Sequence, residues 1–161
     1  MSESAEVPAA DPQGEASILA AQWRRVAAYV ALRDEGGRLL LTSVRLPGRP
    51  DDGKWTLPGG GMDWGEDPQT TARRELREET GYDAELGGVL GVWSKWFAAD
   101  ESHSGETLHT IGVVYEGRNP VRVADPVLDE GTTASAEWLT LDEVRALPLV
   151  PLVDFVLGLI S

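Results

Sequence analysis

Residues 59–82 read GGGMDWGEDPQTTARRELREETGY, in which the glutamates Glu66, Glu75, Glu78 and Glu79 stand among glycines and arginines. The crowding needs a reason because the whole chain is already acidic, with a formal net charge of −13. Carboxylates this close in sequence repel one another unless cations lie between them. The stretch therefore predicts either a surface of ion pairs or a site that binds a cation.

The same stretch carries the signals that begin and end an α-helix. Asp67 is a typical N-cap residue, and Pro68 suits the first helical position, where its missing N–H has no helical partner. Gly81 is typical of the position just past a last helical turn. We therefore predict a helix over residues 67–80. In a helix that turns ~100° per residue, its three glutamates share one face.

The predicted helix has an apolar edge that would hold the glutamates in place. Ala72 and Leu76 lie on the same side as Glu79, so this edge should pack on a sheet. Ion pairs with the arginines of the helix are one way to offset the repulsion between carboxylates. The alternative is a hard divalent cation, Mg²⁺ or Mn²⁺, because such cations prefer oxygen ligands. The neighbouring glycine turn favours this alternative, in which bound metal recruits an anionic substrate.

The spacing of these residues resembles the Nudix box, GX5EX7REUXEEXGU, in which U is a bulky apolar residue. Gly60, Glu66 and residues 74–82 match every fixed position, although Tyr82 stands where an aliphatic residue is more common. WTLPGG before the box and EWLTLDEV near the end also resemble the family, so the likeness covers about residues 24–147. The resemblance implies the Nudix fold, an α/β/α sandwich with a mixed β-sheet in the α/β (α+β) class.

The resemblance also implies roles for individual residues. Glu75 and Glu79, together with Glu78, would ligate the metal ion. The carbonyl of Gly59 resembles the backbone ligand that the family has just before the box. Arg74 would orient the neighbouring glutamates through charge-assisted hydrogen bonds.

Hydrolysis also requires a base that accepts a proton from the attacking water. In the family this base is a glutamate of the box, here Glu78 or Glu79, or a carboxylate of a later loop. Glu130 resembles such a loop carboxylate, with an ordinary solvated loop residue as the alternative. Glu66 resembles a supporting residue more than a ligand.

Three residues outside the box are candidates to bind substrate. Arg45 and Arg49 lie in the loop before the box and are candidates to contact a phosphate, with plain surface arginines as the alternative. Trp96, beside Trp93 and Phe97, is a candidate to stack on a nucleobase, an interaction worth ~1–3 kcal/mol per base. For Trp93, core packing is the favoured interpretation.

Outside the box, the apolar pattern predicts strands mixed with helices. Residues 26–32 and 39–44, joined by RDEGGR, predict a β-hairpin. Further strands are predicted at residues 86–93, 110–116 and 137–141. Thr140 to Glu143 has capping-box spacing and should begin a second helix. A third helix over residues 151–160 is apolar around most of its circumference, which fits a buried packing helix or, alternatively, a homodimer contact.

Composition limits the class of protein and its partners. The 161 residues, 42% apolar and 25% charged, fit one globular domain, which we assign to residues 21–161 after a flexible acidic tail at residues 1–20. The tail lacks the features of a secretory signal. The net charge of −13 argues against nucleic acid polymers and anionic membranes as partners. The chain has no cysteine, which excludes disulfides and agrees with a cytoplasmic location.

The resemblance implies a pyrophosphohydrolase that acts on a nucleoside diphosphate linked to another group. Family members that act on ADP-ribose or dinucleoside polyphosphates often carry a proline or a tyrosine beyond the box, and SKWFAADES has neither. We therefore favour a nucleoside triphosphate or related nucleotide, with ADP-ribose or a dinucleoside polyphosphate as alternatives. A different alternative is a regulatory module that senses a nucleotide without cleaving it. The intact glutamates of the box argue against that reading.

Overall fold

Two β-sheets and three helices make up the part of the chain that the structure describes, a computed structural model covering residues 22–102, 105–128 and 131–160. The strands are β1 (Gln22–Leu32), β2 (Leu39–Val44), β3 (Trp55–Thr56), β4 (Gly59–Gly61), β5 (Tyr82–Phe97), β6 (Thr107–Arg122) and β7 (Thr133–Leu139), and the helices are α1 (Pro68–Thr80), α2 (Leu141–Arg145) and α3 (Pro151–Ile160). The tail predicted over residues 1–20 lies outside the described residues.

The strands form one sheet of four and one of three. The first sheet has the order β4-β1-β6-β5, and the second has the order β3-β2-β7. Strands β1 and β6 are parallel, whereas the other neighbours are antiparallel. The predicted mixed sheet and the α+β class are therefore confirmed.

Alternating side chains of β1 face two separate hydrophobic clusters. Ala27, Tyr29 and Ala31 belong to the cluster that includes Leu152, Val153 and Val156 of α3. Ala28, Val30 and Leu32 belong to the cluster that includes Ala72 and Leu76 of α1. The strands thus lie between α1 on one side and α3 on the other, as the α/β/α prediction requires. Helix α3 is a packing helix, and association of two copies stays a prediction.

The predicted hairpin of β1 and β2 is wrong. The turn between them forms, with the Gly37 N–H donating to the Asp34 carbonyl at 3.0 Å, and one bridge joins Arg33 to Leu39. Beyond that bridge the two strands enter different sheets. The reason is that β4 and β6 occupy both edges of β1, so β2 pairs with β3 and β7 instead.

The ends of α1 lie where the sequence predicts them. The Asp67 carboxylate caps the helix by accepting the Thr70 N–H at 2.9 Å. At the other end Gly81 takes a left-handed conformation with φ of 75° and donates its N–H to the Arg77 carbonyl. A Cβ at this position would also collide with the Ala124 carbonyl. The glycine therefore both ends the helix and lets the following chain pass close by.

None of the helices in the described ranges is long and apolar enough to cross a membrane.

Candidate active site

Arg74 is the centre of the polar network on α1. Its Nε and Nη2 donate to Glu66 Oε2 and Oε1 at 2.9 and 2.8 Å. Glu66 also accepts the Asp63 N–H at 2.9 Å and the Thr71 hydroxyl at 3.1 Å. The guanidinium, followed by the Asp63 N–H, lowers the pKa of Glu66 from 4.5 to about 2. Glu66 is thus a charged anchor that ties the loop before α1 to the helix, which agrees with a supporting role.

The remaining nitrogen of the same guanidinium faces two further glutamates. Arg74 Nη1 lies 3.1 Å from Glu75 Oε1 and 3.4 Å from Glu78 Oε2. Its contacts with Glu66 and Glu75 raise the pKa of Arg74 above its ordinary value, so it stays charged. This position agrees with the predicted role of Arg74, which is to orient the glutamates.

Glu79 lies deeper than the other glutamates of α1. Burial raises the pKa of its carboxyl well above 4.5, and the negative charge of Glu75 raises it further. The Gly59 N–H acts in the opposite direction, since it donates to Glu79 Oε2 at a long 3.4 Å. The two carboxylates therefore share one partly desolvated place, in which Arg74 contacts Glu75 but forms no salt bridge with Glu79 among the described residues.

The glycines of β4 make room for these carboxylates. A Cβ added to Gly60 would lie 2.7 Å from Glu75 Oε1, closer than real contacts allow. Glycine at this position of the box therefore follows from the approach of the Glu75 side chain to the strand. The backbone of β4 and the end of α1 form one rigid wall of the site.

The donor set fits a hard divalent cation only in part. Glu75 and Glu79 leave a negative charge that a cation would balance, and the Gly59 backbone lies beside them. Within residues 22–102, 105–128 and 131–160, however, no three histidine or acidic side chains converge as a metal-binding group. Glu78, the third ligand predicted from the sequence, instead turns its carboxylate to Arg74, and its side chain is 49% exposed.

A cleft of about 230 Å³ opens beside the glutamates, where the two sheets meet. Its lining includes Glu79 and Gly59 together with the rings of Tyr29, Trp93 and Phe97. The rings of Trp93 and Phe97 are 6.3 Å apart, with 57° between their planes. Carboxylates thus lie next to an aromatic wall, an arrangement suited to a ligand with a cation-bound anionic end and a flat apolar end.

The residues predicted to bind substrate are not brought to this cleft. Arg45 Nη2 donates to the carbonyls of Leu128 and Gly131 at 2.9 and 3.4 Å. The guanidinium of Arg49 packs against Gly105. Neither arginine lines the cleft in the described part of the chain.

Trp96 lies on the face of β5 away from the cleft. Side chains alternate along a strand, so Trp93 and Phe97 line the cleft while Trp96 is 49% exposed. Trp93 also packs against the hydrophobic cluster of α3, as the sequence favoured, and stacking of a base on any of these rings stays a prediction. Glu130 lies outside the described residues, so its role as a base stays a prediction.

The sequence reasoning missed two residues that line the cleft. Arg25 and Tyr29 both lie on β1, with Arg25 Nη1 donating to the Tyr29 hydroxyl at 3.1 Å. The available signal was the alternation of β1, which places residues 25, 27 and 29 on one face. The predicted strand began at residue 26, so Arg25 fell outside the pattern.

Known proteins with related sequences and structures carry the same domain. A model of the NUDIX domain matches residues 23–154. A MutT-like protein of Streptomyces ambofaciens is 34% identical over 110 residues, which are 68% of this chain and 60% of that protein. Diphosphoinositol polyphosphate phosphohydrolase 3-alpha of Mus musculus is 37% identical over 87 residues, which are 53% of this chain and 45% of that protein. The chain thus spans about half the length of the curated relatives it matches.

The fold has a counterpart among crystal structures. A MutT NUDIX hydrolase from Burkholderia pseudomallei superposes with a TM-score of 0.71 at 27% identity. The superposition covers 86% of this chain and 99% of that chain. The predicted Nudix fold is confirmed.

Proposed function

The chain belongs to the NUDIX domain family, and we propose that it is a divalent-metal-dependent pyrophosphohydrolase of a nucleoside triphosphate or related nucleotide. The observation that carries the proposal is the pair of Glu75 and Glu79 beside a cleft with aromatic walls. Such a pair is costly to keep charged without a cation. It is therefore a place where metal binding and catalysis coincide.

Glu75, Glu79 and the Gly59 carbonyl would hold Mg²⁺ or Mn²⁺, with Glu78 joining them after it leaves Arg74. When bound, the metal supplies Lewis acidity toward the phosphate oxygens and lowers the pKa of water. Arg74 keeps Glu75 in place through its 3.1 Å contact. The two hydrogen bonds from Arg74 to Glu66 would keep Arg74 in place, and with it Glu75, after Glu78 moves away.

The protein must also accept a proton from the attacking water. Glu78 is suited to this task because its side chain is 49% exposed and its carboxylate is held by a long contact of 3.4 Å to Arg74 Nη1. Glu79 is the second candidate, because burial and the charge of Glu75 raise its pKa well above 4.5, which makes its carboxylate a stronger base. Glu130 is the third, on the resemblance of its loop to that of the family.

The cleft favours a nucleotide over a highly phosphorylated inositol. Arg25 is the one positively charged residue among the described residues that line it, and the chain carries a net charge of −13. A ligand with many phosphates would need more cations than this. Trp93 and Phe97 instead suit a flat base. A small-molecule substrate of this kind agrees with the cytoplasmic location expected from the sequence.

A turnover screen tests the proposal. Nucleoside triphosphates, including oxidised ones, ADP-ribose, dinucleoside polyphosphates and inositol pyrophosphates are each incubated with Mg²⁺ or Mn²⁺, and released phosphate and pyrophosphate are measured. We expect hydrolysis of a nucleoside triphosphate, a kcat lower by about 10²-fold or more in Glu79→Gln, and an unchanged kcat in Glu35→Gln. Glu35 is a matched control because it is exposed in the turn after β1. Nucleotide binding without turnover would indicate the sensing module instead.

A further inference from the structure

Arg25 is positively charged, whereas the other charged side chains among the described residues that line the cleft are acidic. It is half-buried on β1 and lines the same cleft as Glu79 and Gly59. Its neighbour Arg24 is exposed and, by the alternation of the strand, points to the other face. Two consecutive arginines therefore have different surroundings, which makes one a natural control for the other.

The contacts of Arg25 hold its guanidinium without neutralising it. Nη1 donates to the Tyr29 hydroxyl at 3.1 Å, and Tyr29 is itself buried. On the other side the guanidinium lies along β4, where a Cβ on Gly61 would be 3.5 Å from its Nε and 3.9 Å from Nη2. In the described ranges no salt bridge joins Arg25 to a carboxylate. Arg74, by contrast, is surrounded by four.

The guanidinium is also reachable. Arg25 lines both the cleft of Glu79 and a second cavity of about 420 Å³, whose lining includes Trp23 and Met62. A guanidinium has five N–H donors in a planar fork that matches two oxygens of a phosphate. One of these donors is used on Tyr29, so others remain for a ligand in the cleft.

We propose that Arg25, oriented by Tyr29, binds a phosphate group of the substrate in the cleft, on the opposite face of β4 from Glu75. This rests on the proposed function and adds to it a residue that determines how the phosphate chain lies. A polyphosphate in an acidic cleft needs positive charge along its length, and a metal held by the glutamates covers only one part of it. Arg25 supplies the other part and favours a chain of phosphates over a single one.

The test compares Arg25→Gln, Arg25→Lys, Tyr29→Phe and the control Arg24→Gln. Calorimetry measures the affinity of each protein for Mg²⁺ with inorganic pyrophosphate, for a non-hydrolysable α,β-methylene nucleoside triphosphate, and for the nucleoside alone. In Arg25→Gln the loss of a charge-assisted hydrogen bond should lower the affinity for the two phosphate ligands by about tenfold or more. Nucleoside binding and the melting temperature should not change. Lysine should restore part of the affinity, Tyr29→Phe should lose less than Arg25→Gln, and Arg24→Gln should stay within about twofold.

The outcomes separate this inference from the proposed function. Equal affinity of Arg25→Gln and wild type for pyrophosphate and the triphosphate analogue would overturn the role of Arg25, even in an active enzyme. An equal loss for the nucleoside would overturn it too, because a general change of the cleft would then be the cause. If the proposed function fails, wild type itself neither binds Mg²⁺ with pyrophosphate nor hydrolyses any nucleotide, and the inference falls with it.

Discussion

Replacing Glu79 with Gln should make the metal-free protein more stable while it removes activity. Glu79 lies one helical turn after Glu75, and burial followed by the charge of Glu75 raises its pKa well above 4.5. Removing a like charge at this spacing relieves about 0.2–0.5 kcal/mol on an exposed helix, and more where water is excluded. For a chain of this length 1 kcal/mol corresponds to about 2–4 °C in Tm. We therefore expect Glu79→Gln to raise Tm by about 1–3 °C at neutral pH.

The pH dependence of this gain has a definite sign. A carboxyl whose pKa is higher in the folded state binds its proton more tightly when folded. The resulting stability is fully present below the unfolded value of 4.5 and is lost as the pH rises through the folded pKa of Glu79. Gln does not titrate. The variant should therefore have the same Tm as wild type below pH 4.5 and a higher Tm than wild type at about pH 8.

Excess Mg²⁺ should reverse the order of the two proteins. A ligand at 100 times its Kd stabilises the folded state by about 2.7 kcal/mol, or roughly 5–10 °C here. Wild type should gain this stabilisation. Glu79→Gln should lose most of it, because the variant lacks a charged ligand for the metal. The assay is calorimetric melting with EDTA or with Mg²⁺, with Glu35→Gln as the control of equal charge. A lower Tm for Glu79→Gln in EDTA at about pH 8 would refute the reasoning, because the carboxylate would then stabilise the fold without metal.

Three more predictions follow from individual contacts. Phe97→Ala should weaken nucleotide binding by about 1–3 kcal/mol in calorimetry, whereas Trp96→Ala on the other face should not; equal effects would contradict the aromatic wall. Gly60→Ala would place a Cβ 2.7 Å from Glu75 Oε1, so Mg²⁺ affinity should fall while circular dichroism stays the same, and unchanged affinity would argue against a tight fit. Because the pKa of Glu66 is lowered from 4.5 to about 2, its contribution to stability is present above 4.5 and lost as the pH falls through about 2. In urea unfolding Glu66→Gln should therefore be less stable than wild type at neutral pH, with a gap that closes in that acid range; a constant gap would point to lost packing.

The sequence predicted α1 well because its signals are local. Asp67 and Pro68 begin the helix and Gly81 ends it, each for a reason that acts within one helical turn. The spacing of the glutamates then places them on one face without any knowledge of the rest of the fold. The Arg74 network follows in part from the same spacing, since Glu75 and Glu78 are its near neighbours on the helix.

Strand lengths and partners were harder to predict because they depend on distant residues. Strand β5 was expected over residues 86–93 but spans Tyr82–Phe97. Its register shifts near Gly87, Gly88 and Gly91 interrupt the alternation on which a strand prediction relies. The failed hairpin has a similar cause, since only the complete sheet shows that both edges of β1 are occupied. These features are set by tertiary pairing and leave no local pattern.

The cleft was the least predictable part because its lining comes from nearly every element. Trp93 and Phe97 lie at odd-numbered positions of β5 and Trp96 at an even one, so they point to opposite faces of the strand. Which face lines the cleft is known only from the structure. Arg25 was missed because the predicted strand began at residue 26, whereas β1 begins at Gln22. Sequence motifs therefore predicted a chemistry for the site, whereas the structure was needed to find the residues that line the cleft.

The short strand β4 explains how opposite charges can serve one cleft without neutralising each other. Gly60 faces Glu75 on one side of this strand, and Gly61 faces Arg25 on the other. Among the strands in the described part of the chain, β4 pairs with β1 alone, so its other edge leaves room for Glu79 of α1 to reach the cleft. Because its three residues are glycines, no side chain of this strand stands between the Glu75 carboxylate and the Arg25 guanidinium, and only its backbone separates them. A Cβ at Gly60 would come within 2.7 Å of Glu75 Oε1 and would shift that carboxylate, whereas a Cβ at Gly61 would make an ordinary contact with Arg25 Nε at 3.5 Å, so the need for glycine is stricter at position 60.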